Sequence, residues 1–314
     1  MNKVRVFIIN TNNQGFLSDC LNAVLAQDYE EYAVTFIDNG SIDDSVNFVS
    51  ESFPNVEVIH HIENIGDYKA INDYVVRAKE DYIAILKPDA IVETDWLREM
   101  VATMAKSDDI FSVSPTILYQ HNPARVKQAG VGYTLGGTAF PLYSGKNVNK
   151  MKETDVFAAG DCGVLYKRSI FQHLNGYDEK YFNIGGDLDI SWRAIKKGYK
   201  NVICPTSFLI RLSEIGSIDN ETRARLEERN DFWSIYKNEP GWQKFLTGWM
   251  IKWGRGSRKR LHKNAKKAAR QGAKEGKATA KGLCRKTKSK GLNNIKIASK
   301  QFKYTFVNLF RFPK

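Results

Sequence analysis

The stretch V-T-F-I-D-N-G-S-I-D-D-S at Val34–Ser45 decides the fold class of this chain. Its first residues, Val34–Ile37, predict a buried strand, and a polar loop begins at Asp38. A helix is predicted next, over Ser45–Ser52. Taken alone, the residues after Ile37 have a plain interpretation as a turn and a helix N-cap, because Asp, Asn, Gly and Ser favour both.

Strands and helices alternate on both sides of this stretch. Short apolar runs predict further strands at Val4–Ile9, Val56–Ile59, Tyr82–Leu86 and Ile110–Ser114. Helical spacing predicts helices at Phe16–Leu25, Tyr68–Ala78 and Asp95–Ala105. This alternation implies an α/β fold with a Rossmann-like, doubly wound, mostly parallel sheet. Ligands of such sheets bind beyond the carboxyl ends of the strands, which here carry Asn10–Asn12, Asp38–Ser41 and Lys87–Ala90.

The second half of the chain is less regular. Residues 115–157 are rich in Gly and aromatic residues and predict irregular hairpins. A strand and a helix are expected within residues 157–175. Further helices are expected at Ile184–Lys197 and Glu221–Tyr236, with a strand between them at Tyr199–Cys204. We therefore expect one domain over residues 1–240 and a separate tail over residues 241–314.

A second acidic stretch, N-G-Y-D-E-K-Y-F-N-I-G-G-D-L-D-I-S-W-R, occupies Asn175–Arg193, about 140 residues after Asp38. Asp187 and Asp189 open a predicted helix, where acids stabilise the N-terminus. A carboxylate can instead accept the proton of a reacting hydroxyl group. The residues alone leave both interpretations open.

The order of these stretches resembles the inverting glycosyltransferases of family 2, which have a GT-A fold, over about residues 3–240. In that family the strand-ending Asp of a D-N-G-S-like loop hydrogen-bonds the base of a nucleoside diphosphate sugar. The end of the first strand also lines the base pocket. The resemblance therefore implies that Asp38, Thr11 and Asn12 hold the nucleotide of the donor.

Glu63-Asn64-Ile65-Gly66 resembles the E-N-x-G loop of the family, which precedes a helix facing the donor. This resemblance places Asn64 and Gly66 on the donor side. The family continues with small residues, whereas this chain has Asp67-Tyr68-Lys69-Ala70. The bulk and charge of this segment indicate that the usual sugar specificity does not carry over.

Lys87-Pro88-Asp89-Ala90 lies where the family has a D-x-D or N-P-D-T segment. There a carboxylate binds a divalent cation, Mg²⁺ or Mn²⁺, that bridges the donor diphosphate. Such cations prefer several oxygen ligands, but Asp89 is the one acid left, which makes it a weak metal ligand. A downstream His of the family falls at Arg211. We therefore expect Lys87 and Arg211 to replace part of the metal's charge, so that the donor binds independently of metal.

Gly176–Phe182 resembles the family segment G-G-F-D-E-x-F-F, and Gly186–Arg193 resembles E-D-x-D-L-S-x-R. The Asp of that E-D pair is the general base of the family, so the resemblance assigns this role to Asp187. Asp189 and Trp192 are then expected on the acceptor side. Gly186 stands in place of the family's Glu, and a second ligand position for a metal is thereby lost.

The net charge of +12 is unevenly distributed. Residues 254–314 carry 20 basic residues against one acid, or +19, whereas the first 253 carry 27 basic against 34 acidic residues, or −7. This imbalance indicates a polyanionic partner. Aromatic stripes flank the basic run, at Trp242, Phe245, Leu246, Trp249, Met250 and Trp253, and at Ile295, Phe302, Phe306 and Phe310. They favour an anionic membrane surface, and nucleic acid remains an alternative.

The chain most resembles rhamnosyltransferase-like enzymes that build surface polysaccharides or lipid-linked glycans. We expect a cytoplasmic enzyme, peripheral on a membrane, since the four cysteines show no paired spacing and no apolar run approaches about 18 residues. One alternative is a DNA-modifying glycosyltransferase whose basic tail binds DNA. Another is a catalytically dead relative that binds a nucleotide or a glycan.

Overall fold

The computed structural model describes residues 2–213, 219–241, 263–283 and 291–309. In the first third of the chain, strands and helices alternate as β1 Val4–Asn10, α1 Gln14–Leu25, β2 Tyr32–Asn39, α2 Ser45–Ser52, β3 Glu57–His61, α3 Asp67–Val75, β4 Tyr82–Leu86, β5 Ala90–Val92 and α4 Trp96–Met104. The next part contains β6 Ile110–Tyr119, β7 Asn122–Ala129, β8 Val131–Tyr133, β9 Ala139–Pro141, β10 Thr154–Val156, β11 Val164–Lys167 and α5 Arg168–His173. The remaining elements are α6 Gly186–Lys197, β12 Lys200–Arg211, α7 Asn220–Asn238, α8 Lys263–Leu283 and α9 Gly291–Leu309.

One large mixed sheet forms the centre of the molecule, with its main path in the order β10-β12-β6-β11-β4-β1-β2-β3. The pairs β1–β2, β1–β4, β2–β3 and β6–β12 are parallel, and β11 runs antiparallel between β4 and β6. The register places Asn10 opposite Asp38 at the carboxyl edge. The predicted α/β fold with a mostly parallel sheet is confirmed.

Successive side chains along each strand point to opposite faces of the sheet, and each face has its own hydrophobic core. On β1, Val4, Val6 and Ile8 face a core shared with α1 and α4, whereas Phe7 and Ile9 face a core shared with α3, α5 and α6. A strand that is buried on both faces has a continuous apolar run, which is the pattern of Val6–Ile9 in β1. The carboxyl edge of the sheet is therefore the place where polar side chains of these strands collect.

Strand β12 is longer than the Tyr199–Cys204 strand predicted from the sequence. It shifts register between Ile203 and Phe208 and continues to pair with β6. Its last residues also pair with β5, so that Arg211 lies opposite Ala90. This extension carries Arg211 to the end of β4, a position that a strand ending at Cys204 would not reach.

In the basic segment, Lys263–Leu283 form helix α8. Helix α8 packs along α7 through small residues: a Cβ at Gly272 would lie 1.9 Å from the Arg225 carbonyl oxygen, and a Cβ at Gly276 would lie 2.6 Å from that of Arg229. Glycine therefore permits a backbone approach that no other residue would allow. Trp233 adds a hydrogen bond of 3.0 Å to Thr279.

Helix α9 packs against α6 and β8. Its Thr305 accepts a 2.9 Å hydrogen bond from the Leu135 backbone, and Asn293 donates one of 3.0 Å to the Lys196 carbonyl. Ile295 and Phe302 are mostly exposed. The first aromatic stripe, Phe310 and the side chain of Phe306 lie outside the described residues. Within the described ranges, no helix has the length and apolar character needed to cross a membrane.

Candidate active site

A cavity of about 380 Å³ opens at the carboxyl edge of the sheet, beyond the ends of β1, β4 and β12. This volume lies in the range of small-ligand sites. Six residues that the sequence singled out line it: Thr11, Asn64, Lys87, Asp89, Asp187 and Arg211. The structure thus gathers side chains from three strand ends and one helix start around one space.

Two cations line this cavity, and each is paired with a carboxylate. The Lys87 ammonium lies 2.5 Å from Asp67, and the Arg211 guanidinium holds both oxygens of Asp89 at 2.9–3.2 Å. Arg211 also lies 3.8 Å from Asp161. Burial opposes the charged form of Lys87, but Asp67 outweighs that effect and raises the pKa of Lys87 above its ordinary value. Both cations therefore remain charged across the physiological range.

Asp67 and Asp89, two carboxylates that could ligate a divalent cation, are paired with side-chain cations. Lys87 brings a positive charge to the position where a metal ligand is expected, and the guanidinium of Arg211 already occupies both oxygens of Asp89. Among the described residues, no group of three His, Cys, Asp or Glu side chains could hold a metal ion. A hard cation needs several oxygen ligands, and the oxygens of Asp67 and Asp89 are already paired with Lys87 and Arg211.

Asp187, in the first turn of α6, also lines the cavity. Its carboxylate accepts a 3.2 Å hydrogen bond from the Tyr68 hydroxyl. Burial raises the pKa of Asp187, and the neighbouring charge of Asp161 raises it further, to about 6. A carboxylate with a pKa near the working pH can take up a proton during a reaction and release it afterwards.

The residues before α6 explain how this helix places the Asp187 carboxylate in the cavity. Gly185, just before the helix, has a φ of 82°, which favours glycine. Further upstream, the side chain of Asn72 forms hydrogen bonds of 2.9 Å with both the N–H and the carbonyl of Tyr177. The loop that leads into α6 is therefore anchored to α3, the helix that follows the E-N-I-G segment.

Two residues expected on the acceptor side are not in the cavity, and their placement is corrected. Asp189 is 0% exposed and forms hydrogen bonds of 2.8 Å with Arg193, Lys237 and Asn238. Trp192 is also 0% exposed and packs against aromatic rings in the core. A side chain without exposed surface does not contact an acceptor, so both residues stabilise the helix.

Asp38 lies beneath the cavity and does not line it. It is 0% exposed, and its oxygens accept hydrogen bonds from Asn10 at 3.0 Å, from the Ser41 backbone at 3.0 Å and from the Ser41 hydroxyl at 2.5 Å. His60 lies 3.1 Å away. These bonds join the loops after β1, β2 and β3. Base recognition by Asp38 remains a prediction that requires one of these hydrogen bonds to be exchanged.

Asn12 and Gly66 also shape loops and do not line the cavity. The side chain of Asn12 accepts a 2.8 Å hydrogen bond from the Ile42 backbone. Gly66 has a φ of 88°, and a Cβ there would lie 2.8 Å from the ring of Phe182. We therefore predict that Asn12 and Gly66 contribute to donor binding by fixing the shape of the loops around the cavity.

Sequence reasoning missed several lining residues, among them Asp67, Tyr68 and Asp161. Asp67 and Tyr68 belong to the segment in which the chain departs from the small residues of the family. This departure was the sequence feature that could have identified them. Asp161 lies in G-D-C-G, just before β11. Burial opposes its ionisation, but Arg211 and Lys87 keep the pKa of Asp161 below its ordinary value.

The sequence matches the glycosyl transferase family 2 profile over residues 5–174. Glycosyltransferase AglE of Haloferax volcanii is 25% identical over 204 residues, which cover 62% of this chain and 62% of AglE. The N-acetylglucosaminyl-diphospho-decaprenol L-rhamnosyltransferase of Mycobacterium tuberculosis is 20% identical over 249 residues, which cover 70% of this chain and 80% of the relative. The chain is thus matched to less than two thirds of AglE.

Two solved structures share the fold at 14% sequence identity. GalNAc-T7 with UDP, GalNAc and Mn²⁺ has a TM-score of 0.67, covering 100% of this chain and 59% of its own. The mannosyltransferase PcManGT from Pyrobaculum calidifontis, in complex with GDP-Man and Mn²⁺, has a TM-score of 0.56, covering 99% of this chain and 81% of its own. The family match spans more than half of the sequence. The chain therefore belongs to glycosyltransferase family 2 and has the GT-A fold.

Proposed function

We propose that this chain transfers a sugar from a nucleoside diphosphate sugar to an acceptor hydroxyl group, with inversion at the anomeric carbon. The observation that carries the proposal is a single cavity lined both by two cations, Lys87 and Arg211, and by the carboxylate of Asp187. Cations suit a diphosphate, and a carboxylate with a pKa of about 6 suits a general base. The sugar lies between them.

The chemistry is a single displacement. The acceptor hydroxyl oxygen bonds to the anomeric carbon while the bond from that carbon to the diphosphate oxygen breaks. The electron pair of the broken bond leaves with the nucleoside diphosphate, and the hydroxyl proton passes to Asp187. One attack from the face opposite the leaving group inverts the configuration.

Lys87 and Arg211 take the part of a metal in this proposal. In the structure, Asp67 and Asp89 neutralise them, so an arriving diphosphate exchanges these carboxylates for phosphate oxygens. Arg binds phosphate through two parallel hydrogen bonds, and Lys acts as a point charge. The donor therefore binds without Mg²⁺ or Mn²⁺.

A glycan of the cell surface, or a glycan on a lipid carrier, is the acceptor we propose. The mycobacterial relative is named as an L-rhamnosyltransferase that acts on N-acetylglucosaminyl-diphospho-decaprenol, a sugar on a lipid diphosphate. The proposed location is the cytoplasmic face of a membrane. We propose residues 1–240 as the transferase domain and residues 241–314 as the segment that brings it to that membrane.

The charge pattern of α8 supports the membrane proposal. Its buried face is made of Ala and Gly, and its exposed face carries five basic residues, three or four positions apart: Lys267, Arg270, Lys274, Lys277 and Lys281. We call these five residues the basic stripe. At a rise of about 1.5 Å per residue the stripe is about 21 Å long, and such a row of cations is attracted to anionic lipid headgroups. The same row also complements the phosphates of DNA.

Flotation with vesicles that contain phosphatidylglycerol separates these partners. Replacing the basic stripe by Gln should abolish flotation, whereas the same change at three exposed lysines elsewhere, Lys3, Lys79 and Lys152, should leave it intact. Binding to duplex DNA at physiological salt without vesicle binding would move the assignment to a DNA-modifying enzyme.

Transfer itself is tested with labelled UDP-, dTDP- and GDP-sugars and lipid-linked glycan acceptors, with the product linkage read by NMR. A product whose anomeric configuration is opposite to that of the donor supports the proposal. Tight nucleotide binding without turnover on any acceptor or on water would contradict it and would favour a non-catalytic binding protein.

A further inference from the structure

Tyr68 occupies an unusual position for a large side chain. It is the second residue of α3, it is buried, and its hydroxyl donates a 3.2 Å hydrogen bond to Asp187, which lies 119 residues away in the sequence. The phenol therefore reaches from α3 to the carboxylate that we propose as the base.

Gly186 leaves the space that this ring fills. A Cβ at position 186 would lie 2.7 Å from two atoms of the Tyr68 ring, a distance that real Cβ atoms do not adopt. Gly186 does not have a positive φ, so its backbone would accept any residue. Glycine is required here by the ring and not by the helix. Tyr68 and Gly186 form a size-matched pair.

The ring of Tyr68 has little freedom to move. It packs on Tyr177 with ring centroids 4.6 Å apart, and its backbone N–H donates a 3.2 Å hydrogen bond to the Phe182 carbonyl. Tyr177 is itself held by the side chain of Asn72. The Tyr177 ring and Gly186 thus both confine the Tyr68 ring, whose hydroxyl points to Asp187.

We infer that Tyr68 is a positioning residue that fixes the orientation of the Asp187 carboxylate and favours its ionised form, and that Gly186 exists to admit it. The inference rests on the proposed function, because it assigns a role toward the base of that reaction. In this chain a phenol from α3 thus takes the space in which the resembled family has a Glu side chain.

The charges around Asp187 support this role. Burial and the carboxylate of Asp161 both raise the pKa of Asp187, whereas backbone N–H groups at the start of α6 and the Tyr68 hydroxyl lower it. Burial keeps the pKa of Tyr68 itself well above its ordinary value. The phenols of Tyr166 and Tyr177 face the same region and are also kept neutral by burial. Tyr68 therefore stays protonated, as a donor, at every pH at which Asp187 is ionised.

Tyr68→Phe keeps the ring and removes the hydrogen bond. Because that bond favours the carboxylate, its loss should raise the pKa of Asp187 and move the acid limb of the pH–kcat profile to higher pH, from about 6 in the parent. We expect kcat to fall by roughly tenfold to a hundredfold, the usual effect of a hydrogen bond to a charged group. Tyr166→Phe removes a hydroxyl from the same buried cluster without touching Asp187, and its acid limb should stay in place.

Gly186→Ala tests the size match. The added methyl group should displace the ring and reproduce the shift of the acid limb. In a Tyr68→Ala background the same change should cost little, so the double variant should be far less impaired than the product of the two single effects. Equal effects of Gly186→Ala in both backgrounds would contradict the pairing.

Carbon-13 NMR of the aspartate carboxyls, assigned with Asp187→Asn, follows the titration of Asp187 without an activity assay. A raised pKa in Tyr68→Phe supports the inference, and an unchanged titration in a folded variant overturns it. If the parent protein transfers no sugar but the titration still moves, the contact is real and the proposed function is the part that fails.

Discussion

The two faces of the first turn of α6 give two carboxyl groups opposite environments. Asp189 faces the core: burial opposes its ionisation, but Arg193 and Lys237 outweigh that effect and lower the pKa of Asp189. Asp187 faces the cavity, where burial and Asp161 raise its pKa to about 6. The same residue type, two positions apart, thus serves stability on one face and is available for proton transfer on the other.

The largest effect on stability is expected at Asp189, the carboxyl group that faces the core. Asp189→Asn should lower the free energy of unfolding by about 3–5 kcal/mol, because it leaves the charges of Arg193 and Lys237 buried with reduced compensation. Urea denaturation followed by circular dichroism measures this loss. The matched change Asp187→Asn removes no ion pair and should not destabilise the protein. Equal stability of the two variants would contradict the division of roles.

For activity, the large effect is expected at Asp187, the carboxyl group that faces the cavity. Asp187→Asn should lower the transfer rate by about 10²- to 10³-fold, or about 3–4 kcal/mol, since the amide cannot accept the hydroxyl proton. Nucleotide binding, measured by calorimetry, should be retained. Asp73→Asn, which alters an exposed pair with Lys69, serves as the control. Full activity in Asp187→Asn would move the base to another residue.

The smallest predicted effect is the pH dependence of activity and of stability. Activity should rise as the pH increases through about 6, where Asp187 loses its proton. Its folded-state pKa lies above the ordinary value of 3.8, so ionised Asp187 costs stability; the cost is absent below pH 3.8 and complete above pH 6. Asp187→Asn should therefore be more stable than the parent at pH 8, by about 1–3 kcal/mol, and equally stable near pH 3. A stability gain that does not depend on pH would contradict the raised pKa.

Much of the fold could be predicted from the sequence, because it rests on local patterns. The alternation of apolar runs and helical spacing gave β1 to β4 and the helices between them, and the strand ends located Lys87 and Asp89. The placement of Asp189 and Trp192 failed for a reason that was present in the sequence. At about 3.6 residues per turn, a residue two positions after Asp187 points about 200° away from it.

Contacts across long sequence separations could not be predicted in this way. The hydrogen bond from Tyr68 to Asp187 spans 119 residues, and that from Arg211 to Asp89 spans 122. The second depends on the register of β12 against β5. The docking of α8 was missed because Gly272 and Gly276 offer no side chains for a hydrophobic pattern; their close approach to α7 is a property of both helices together.

The most direct test of the account is calorimetric binding of UDP, dTDP and GDP, each in EDTA and in Mn²⁺. We predict that one nucleotide binds equally well in both, and that Lys87→Ala and Arg211→Ala each weaken it by about tenfold to a hundredfold. Lys69→Ala, at a lysine that pairs with Asp73 instead, should bind like the parent. Binding that requires Mn²⁺ and is unchanged in Lys87→Ala would contradict the central claim that side-chain cations hold the diphosphate.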